Sequence, residues 1–327
     1  MSTYKEINGT GIEVLSADPP NPQDGQVWYR SDLGTFKTQK ESVLGGWSTG
    51  GDLNTARNYL AGAGTQTAAL GFGGNPTPVN ALTESYNGTS WTELNDLNTG
   101  RRRLGASGTQ TSALGFGGGP YTAVTESWNG TNWTEVNDLN HTRDFLTGAG
   151  ADNTSALGFG GYVFPNPAGP PGILALTESW NGTNWTEVND MNITKFRHTG
   201  GGTQTSALAV GGESPSAVAN TESWNGTNWT EVNDLNTARI NIQGAAADNT
   251  NALASGGGTA PYFALTESWN GTSWTEVNDL NIARRIFAGA GTNTAGLAFG
   301  GEDATGDTAA TEEFNVPASL TQTITLE

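Results

Sequence analysis

Side chains able to do acid–base, nucleophilic or metal chemistry are few in this chain, and nearly all are copied at a fixed interval. A basic residue recurs as Arg57, Arg101, Arg143, Lys195, Arg239 and Arg284, and an acidic trio as Glu84, Glu93, Asp96 and again Glu126, Glu135, Asp138. A carboxylate pair does hydrolytic work when one pair sits in one cleft. Copies distributed along the chain do not make one cleft, so glycoside hydrolysis is disfavoured. A periodic series of cations forms a ring, able to hold an anion or to pair with the repeated acids and stitch neighbouring units; the pairing is expected. The two histidines, His141 and His198, lie in different copies without the recurring partners that a metal site or a catalytic triad needs. Both are expected to face solvent. The absence of Cys excludes disulfides, zinc thiolates and cysteine nucleophiles. Gly200-Gly201-Gly202 follows no strand–helix pattern, so it is not a phosphate loop. The expectation is no enzyme, no cofactor and no metal.

The formal net charge of -18 disfavours phosphate-backbone contacts, hence nucleic acid. Because the acids are copied with the repeat, a solvated acidic rim that keeps the protein soluble is expected. Residues Met1 to Gly11 are polar, so no signal peptide is expected. No run approaches a membrane span, and membrane insertion is not expected.

The elements that must position these residues are short strands. Gly is abundant (47 residues), and Thr, Val and aromatic residues alternate with turn signals, an all-β composition. Gly pairs fall at Gly73-Gly74, Gly117-Gly118, Gly160-Gly161, Gly211-Gly212, Gly256-Gly257 and Gly300-Gly301, spaced 43 to 45 apart except for one step of 51. Each unit reads as four strands, exemplified by a (Leu104 to Ser107), b (Ser112 to Phe116), c (Ala123 to Trp128) and d (Trp133 to Val136). Asn129-Gly130 is a tight-turn signal between c and d. Four antiparallel strands per repeat describe a propeller blade, and six repeats give a six-bladed β-propeller. The sixth repeat has no Trp after Phe314, whereas Trp47 precedes Gly51-Asp52-Leu53-Asn54 as Trp91 precedes Asn95-Asp96-Leu97-Asn98. The segment around Trp47 is therefore expected to supply strand d of the last blade and close the ring. Paired aromatics such as Trp128 and Trp133 should share one face of the blade and pack between blades. The Asn-Gly-Thr sequons at Asn87, Asn129, Asn181, Asn225 and Asn270 are read as turn residues before glycosylation sites.

The order Gly73-Gly74, Tyr86, Trp91, Arg101 resembles the kelch repeat: a Gly pair ending strand b, an aromatic on c, a Trp on d and a basic residue opening the next repeat. The resemblance covers about residues 45 to 315, with a c–d hairpin two residues shorter than usual for kelch. Copper-oxidase kelch propellers use Cys, Tyr and His ligands, and this chain has no Cys. The hairpin around Trp128-Asn129-Gly130 also resembles the Asp-box turn of sialidases, one residue short and with Asn for Asp, and is read as turn chemistry. The near-identical, Asn/Thr/Gly-rich copies and the segment Pro22 to Tyr29 look like propellers in structural or tail-fibre proteins of tailed bacteriophages. That resemblance implies a virion location and host adhesion.

The copies differ in two connections only, d–a and b–c, which lie on one face of an up-and-down blade array, whereas the a–b and c–d turns of the other face barely change. Relaxed drift of loops is one reading. A binding face is the other, and is favoured because the variable loops carry aromatic and basic residues: Tyr59, Arg102, Arg103, Tyr121, Phe145, Tyr162, Phe164, Arg197, His198, Tyr262, Phe263 and Arg285. The Pro-rich insertion Phe164 to Gly172 should project from it. Three segments are expected: an attachment segment with a β-hairpin over 1–43, the propeller over 44–315, and a tail over 316–327 with an extra strand. The expected function is non-enzymatic recognition of a host surface glycan or protein by a phage virion protein. Its termini would join other virion subunits, and homo-oligomerisation stays open. The alternatives are a purely structural decoration disc and a polysaccharide-acting glycosidase or lyase.

Overall fold

The computed structural model describes residues 12–19, 26–39, 45–75, 81–163, 172–259, 261–316 and 321–324. Every regular element among them is a strand. The chain divides into two compact units, one of residues Met1–Gly45 with Val316–Glu327, the other Gly46–Asn315.

In the smaller unit, strands Val27–Arg30 and Thr35–Gln39 form a hairpin. Glu13–Leu15 joins one edge in parallel, and Thr321–Ile324 pairs antiparallel with the other. Trp28 is fully buried and its indole N–H donates to Asp18 at 3.0 Å.

The larger unit repeats one pattern. In the second sheet the strands are a Gly105–Gly108, b Ala113–Phe116, c Thr125–Trp128 and d Trp133–Val136, antiparallel in that spatial order. These bounds fall within two residues of the expected ones. Six such four-stranded antiparallel sheets occur among the described residues. The last is completed from the other end of the chain: Gly46–Thr49 pairs with Thr311–Asn315, with Trp47 opposite Phe314. Strand a of each sheet lies beside strand a of the next, and Ala288–Gly291 of the last lies beside Ala61–Thr65 of the first. The arrangement is propeller-like.

Local sequence explains each strand. Strand b (Ala-Leu-Gly-Phe) is buried on both faces, and d (Trp-Thr-Glu) buries only its Trp, leaving Thr and Glu exposed as an outer edge strand does. Strand a is made of small residues because successive a strands approach closely. A Cβ on Gly148 of the third sheet would lie 2.1 Å from the Ala106 carbonyl oxygen of the second. The c–d loop is Asn129 to Asn132, with Trp128 opposite Trp133 and their rings 5.3 Å apart. The core forms between sheets, as expected of the aromatic pairs. Leu70 and Phe72 of the first pack against Ala113, Trp128 and Trp133 of the second, and Leu297 and Phe299 of the last against Tyr86 and Trp91 of the first.

The recurrent cations and the first acid of each trio prove to be interior. Arg101 is fully buried, with Nη2 2.9 Å from Glu126 Oε1 and Nη1 donating to the Gly117 and Val124 carbonyls. Glu126, also fully buried, accepts on Oε2 from the backbone and side-chain N–H groups of Asn98 at 2.7 and 2.9 Å. Equivalent buried pairs are Arg57–Glu84, Arg143–Glu178, Lys195–Glu222, Arg239–Glu267 and Arg284–Glu312. The expected pairing is present, and the alternative of a ring open to an anion falls away because the cations are buried. One expectation is corrected: the first acid of each trio is not part of a solvated rim. Asp138 serves the scaffold too, accepting the Thr125 N–H at 3.1 Å at the start of strand c. Burying two charges is tolerable when they are paired and well hydrogen-bonded; the Asn-Asp-Leu-Asn motif supplies the bonds to the carboxylate, while the Nε atoms of Arg57, Arg143, Arg239 and Arg284 are left without an acceptor.

Candidate functional site

Because the repeated motif is consumed by structure, a site must be built from what varies. The variable d–a connections align as tripeptides: Asn58-Tyr59-Leu60, Arg102-Arg103-Leu104, Asp144-Phe145-Leu146, Phe196-Arg197-His198, Ile240-Asn241-Ile242 and Arg285-Ile286-Phe287. The first residue pairs with the b–c connection, as Arg102 does with Gly119 and Asp144 with Tyr162. The third is buried against the neighbouring sheet. The second adopts positive φ in every copy: Tyr59 54°, Arg103 58°, Phe145 53°, Arg197 52°, Asn241 55° and Ile286 50°. Bulky residues seldom occupy that left-handed region, and such outliers persist where surrounding structure over-determines them. Here backbone hydrogen bonds do so. Tyr59 N–H donates to Ile286, Arg103 to Tyr59, Phe145 to Arg103, Asn241 to Arg197 and Ile286 to Asn241, at 2.8 to 3.1 Å.

All six second-position residues line one cavity of about 190 Å³, whose wall is the six a strands. Around its mouth runs a row of rings and guanidinium groups. Arg103 lies over Tyr59 at 4.6 Å and Phe145 at 4.4 Å; Arg197 lies over Phe145 at 5.0 Å and Phe196 at 4.9 Å. Tyr162 continues the row 5.3 Å from Phe196, and Tyr121 stands 6.5 Å from Tyr162. Cation–π contacts of this kind hold each group in place. Arg103 pairs with Asp144 at 3.4 Å and Arg197 with Glu213 at 2.9 Å. Burial raises the Asp144 carboxyl to about 6, against the opposing pull of Arg103. Burial likewise raises the Tyr121 phenol.

Of the sequence-predicted residues, Tyr59, Arg103, Phe145, Arg197, Tyr162 and Tyr121 are gathered in this row. Arg102 adjoins it, donating to Asn75 Oδ1 at 3.4 Å. Arg285 and Tyr262 form a separate cluster: the guanidinium lies 4.6 Å over the ring, and both groups bond Glu302. That hydrogen bond raises the Tyr262 phenol. Phe263 lines a groove of about 430 Å³ shared with Arg197, Glu213 and Ile240. Phe164 lies outside the described residues. The aromatic and basic residues, expected to be exposed, are half-buried against one another, since exposed rings gain by packing on guanidinium planes.

His198 requires correction. It occupies the third position of its tripeptide, where the other copies have Leu, Ile or Phe, and is buried with neither ring nitrogen hydrogen-bonded. It is a core residue behind the mouth, not a solvent-facing one. Burial drives its pKa well below 6.5, helped by Lys195 and Arg143. His141 does face solvent, 2.6 Å from Glu187. Asn241, Ile286, Asp144 and Glu213 belong to the site but were not selected by an aromatic-or-basic criterion, and Phe196, which meets that criterion, was passed over. Aligning the copies on the tripeptide would have found the first two.

Among the described residues no group of three or more His, Asp or Glu is placed to hold a metal ion. No helix there is long and apolar enough to cross a membrane. No protein-family model matches the chain, and no curated protein matches it.

Proposed function

We propose that Gly46–Asn315 is a closed, six-bladed, kelch-like propeller whose d–a and b–c face is a non-catalytic recognition surface. In this reading the chain is a tailed-phage virion protein that binds a glycan or protein of the host envelope. The closed ring is supported by the cyclic contacts of the a strands and by the pairing of Gly46–Thr49 with Thr311–Asn315. The observation that carries the recognition reading is the row Tyr59, Arg103, Phe145, Arg197, Phe196, Tyr162, assembled from the most variable positions of an otherwise uniform repeat. Aromatic and Arg residues dominate binding hot spots, and rings with polar neighbours suit sugars and peptides alike. The smaller unit, with both termini of the chain, is proposed to join other particle subunits.

The test is binding of labelled protein to a broad glycan array and to candidate host cells, beside a Phe145→Ala/Tyr162→Ala variant of unchanged melting temperature. The reading expects specific binding that falls at least tenfold in the variant. A folded protein that binds neither array nor cells would transfer the proposal to a structural disc within a particle.

A further inference from the structure

Resting on that recognition reading, we infer that the cavity mouth is a pocket for a single sugar residue bearing a carboxylate, at the end of a host glycan. The guanidinium groups of Arg103 and Arg197 both lie over the Phe145 ring, 4.4 and 5.0 Å from its centroid. Each spends one nitrogen on an acid, Nη1 in both cases, and, unlike the scaffold arginines, each side chain stays partly exposed, at 22% and 32%. A guanidinium has five N–H donors in a fork that matches a carboxylate. Elsewhere on the mouth, Asn241 is 7% exposed, lines the cavity, and its Oδ1 has no donor. That acceptor suits a sugar hydroxyl. A ligand satisfying both sides therefore carries an anion and a hydroxyl donor, with a C–H face for the Tyr59 or Phe145 ring.

Size and charge narrow the class further. At about 190 Å³ the cavity is smaller than the roughly 300–1,000 Å³ of pockets for drug-sized ligands, so it takes one residue and not a chain. The charged side chains that line the cavity are both cations, Arg103 and Arg197, on a chain that is otherwise strongly acidic; each is opposed from outside the lining by one acid, Asp144 and Glu213. Asp144, which also senses Arg102 and Arg197, gains a proton as the pH falls through about 6. Its charge then no longer competes for Arg103, so affinity for an acidic sugar rises on mild acidification.

The test titrates the full chain with glucuronic acid, N-acetylneuraminic acid and glucose at pH 5.5 and 7.5, followed by calorimetry or ligand-observed NMR. One or both acids should bind at least tenfold tighter than glucose, and tighter at pH 5.5; which acid binds identifies the sugar class. Arg197→Ala and Asn241→Leu should each weaken binding at least fivefold, while His141→Ala leaves it unchanged. Arg197→Lys, which retains charge without the fork, should recover less than half of the loss. Equal binding of glucose and the acids, or variants of native stability that bind normally, would overturn the inference. Glycan-array binding without preference for acidic termini would reject it and leave the recognition reading standing, whereas no binding at all would remove both.

Discussion

At the residue scale, two buried titratable groups near the cavity mouth pull stability in opposite directions with pH. His198 is neutral in the folded chain and regains an ordinary pKa near 6.5 on unfolding. Its contribution is therefore full above about 6.5 and is lost as the pH falls, because the unfolded chain binds the extra proton. Asp144, raised to about 6 in the fold, contributes most below its unfolded pKa of 3.8 and loses that contribution as the pH rises through 6. The two are separable by difference. His198→Leu restores the residue type used at Leu60, Leu104 and Leu146 and removes two unpartnered ring nitrogens. We expect it to raise stability by about 1–3 kcal/mol, with the gain increasing as the pH is lowered from 7 to 5, measured by urea unfolding. An unchanged or shrinking gain toward pH 5 would show that His198 has a polar partner in solution. None of this was legible in the sequence, where a lone histidine in a variable loop reads as exposed. The residue's place in its tripeptide decides the matter, and burial is a property of the packed neighbour, not of the loop.

At the element scale, the a–b turns do more than reverse the chain. Gln110 donates from Nε2 to the Ala69 and Tyr86 carbonyls of the preceding sheet, and Gln204 does the same to Ala156 and Trp180. Gln66 of the first sheet reaches the Gly296 and Phe314 carbonyls of the last. Replacing Gln66 by Ala strands two buried acceptors and should cost about 1–3 kcal/mol. Asn87→Ala, in an exposed c–d turn where the side chain only caps its own hairpin, should cost less than half as much. Equal losses in denaturant titrations would mean that the turn amide does not link sheets. The strands themselves were readable from alternation and turn chemistry, because each sheet is local in sequence. The amide link was not, since Gly-Thr-Gln-Thr reads as an ordinary turn until the neighbouring sheet is in place. The acid–base pairing was anticipated from periodicity. Its burial was not, because the Asn98 contacts that make a buried Glu126 tolerable lie 28 residues away in sequence.

At the scale of the whole molecule, stability depends on a strand drawn from the opposite end of the chain. Removing residues 1–50 leaves the last sheet with three strands, uncovers Phe314 where Trp47 packs at 5.2 Å, and exposes a strand edge. The truncated chain should melt at least 10 °C lower and self-associate, read by scanning calorimetry and size-exclusion chromatography. A monomer of native melting temperature would show that the strand is dispensable. This pairing of Gly46–Thr49 with Thr311–Asn315 was foreseen from the missing sixth Trp, a tally that needs no structure. The cavity and its ring of left-handed residues were not foreseen, because backbone φ at Ile286 or Phe145 is imposed by bonds to adjacent sheets.

The same swap sets a clock on synthesis. Ser48 precedes its partner Glu313 by 265 residues; at roughly 5–20 residues per second the strand waits roughly 13–53 s on the ribosome before its sheet exists. Throughout that interval it meets c strands of nearly the same sequence, Thr-Glu-Ser-Tyr and Thr-Glu-Ser-Trp. Each of these is taken by its own d strand through a four-residue hairpin, a step of about 1–10 μs. Thr311–Asn315 alone among the described c strands has no such hairpin, and takes as its partner a strand synthesised long before it.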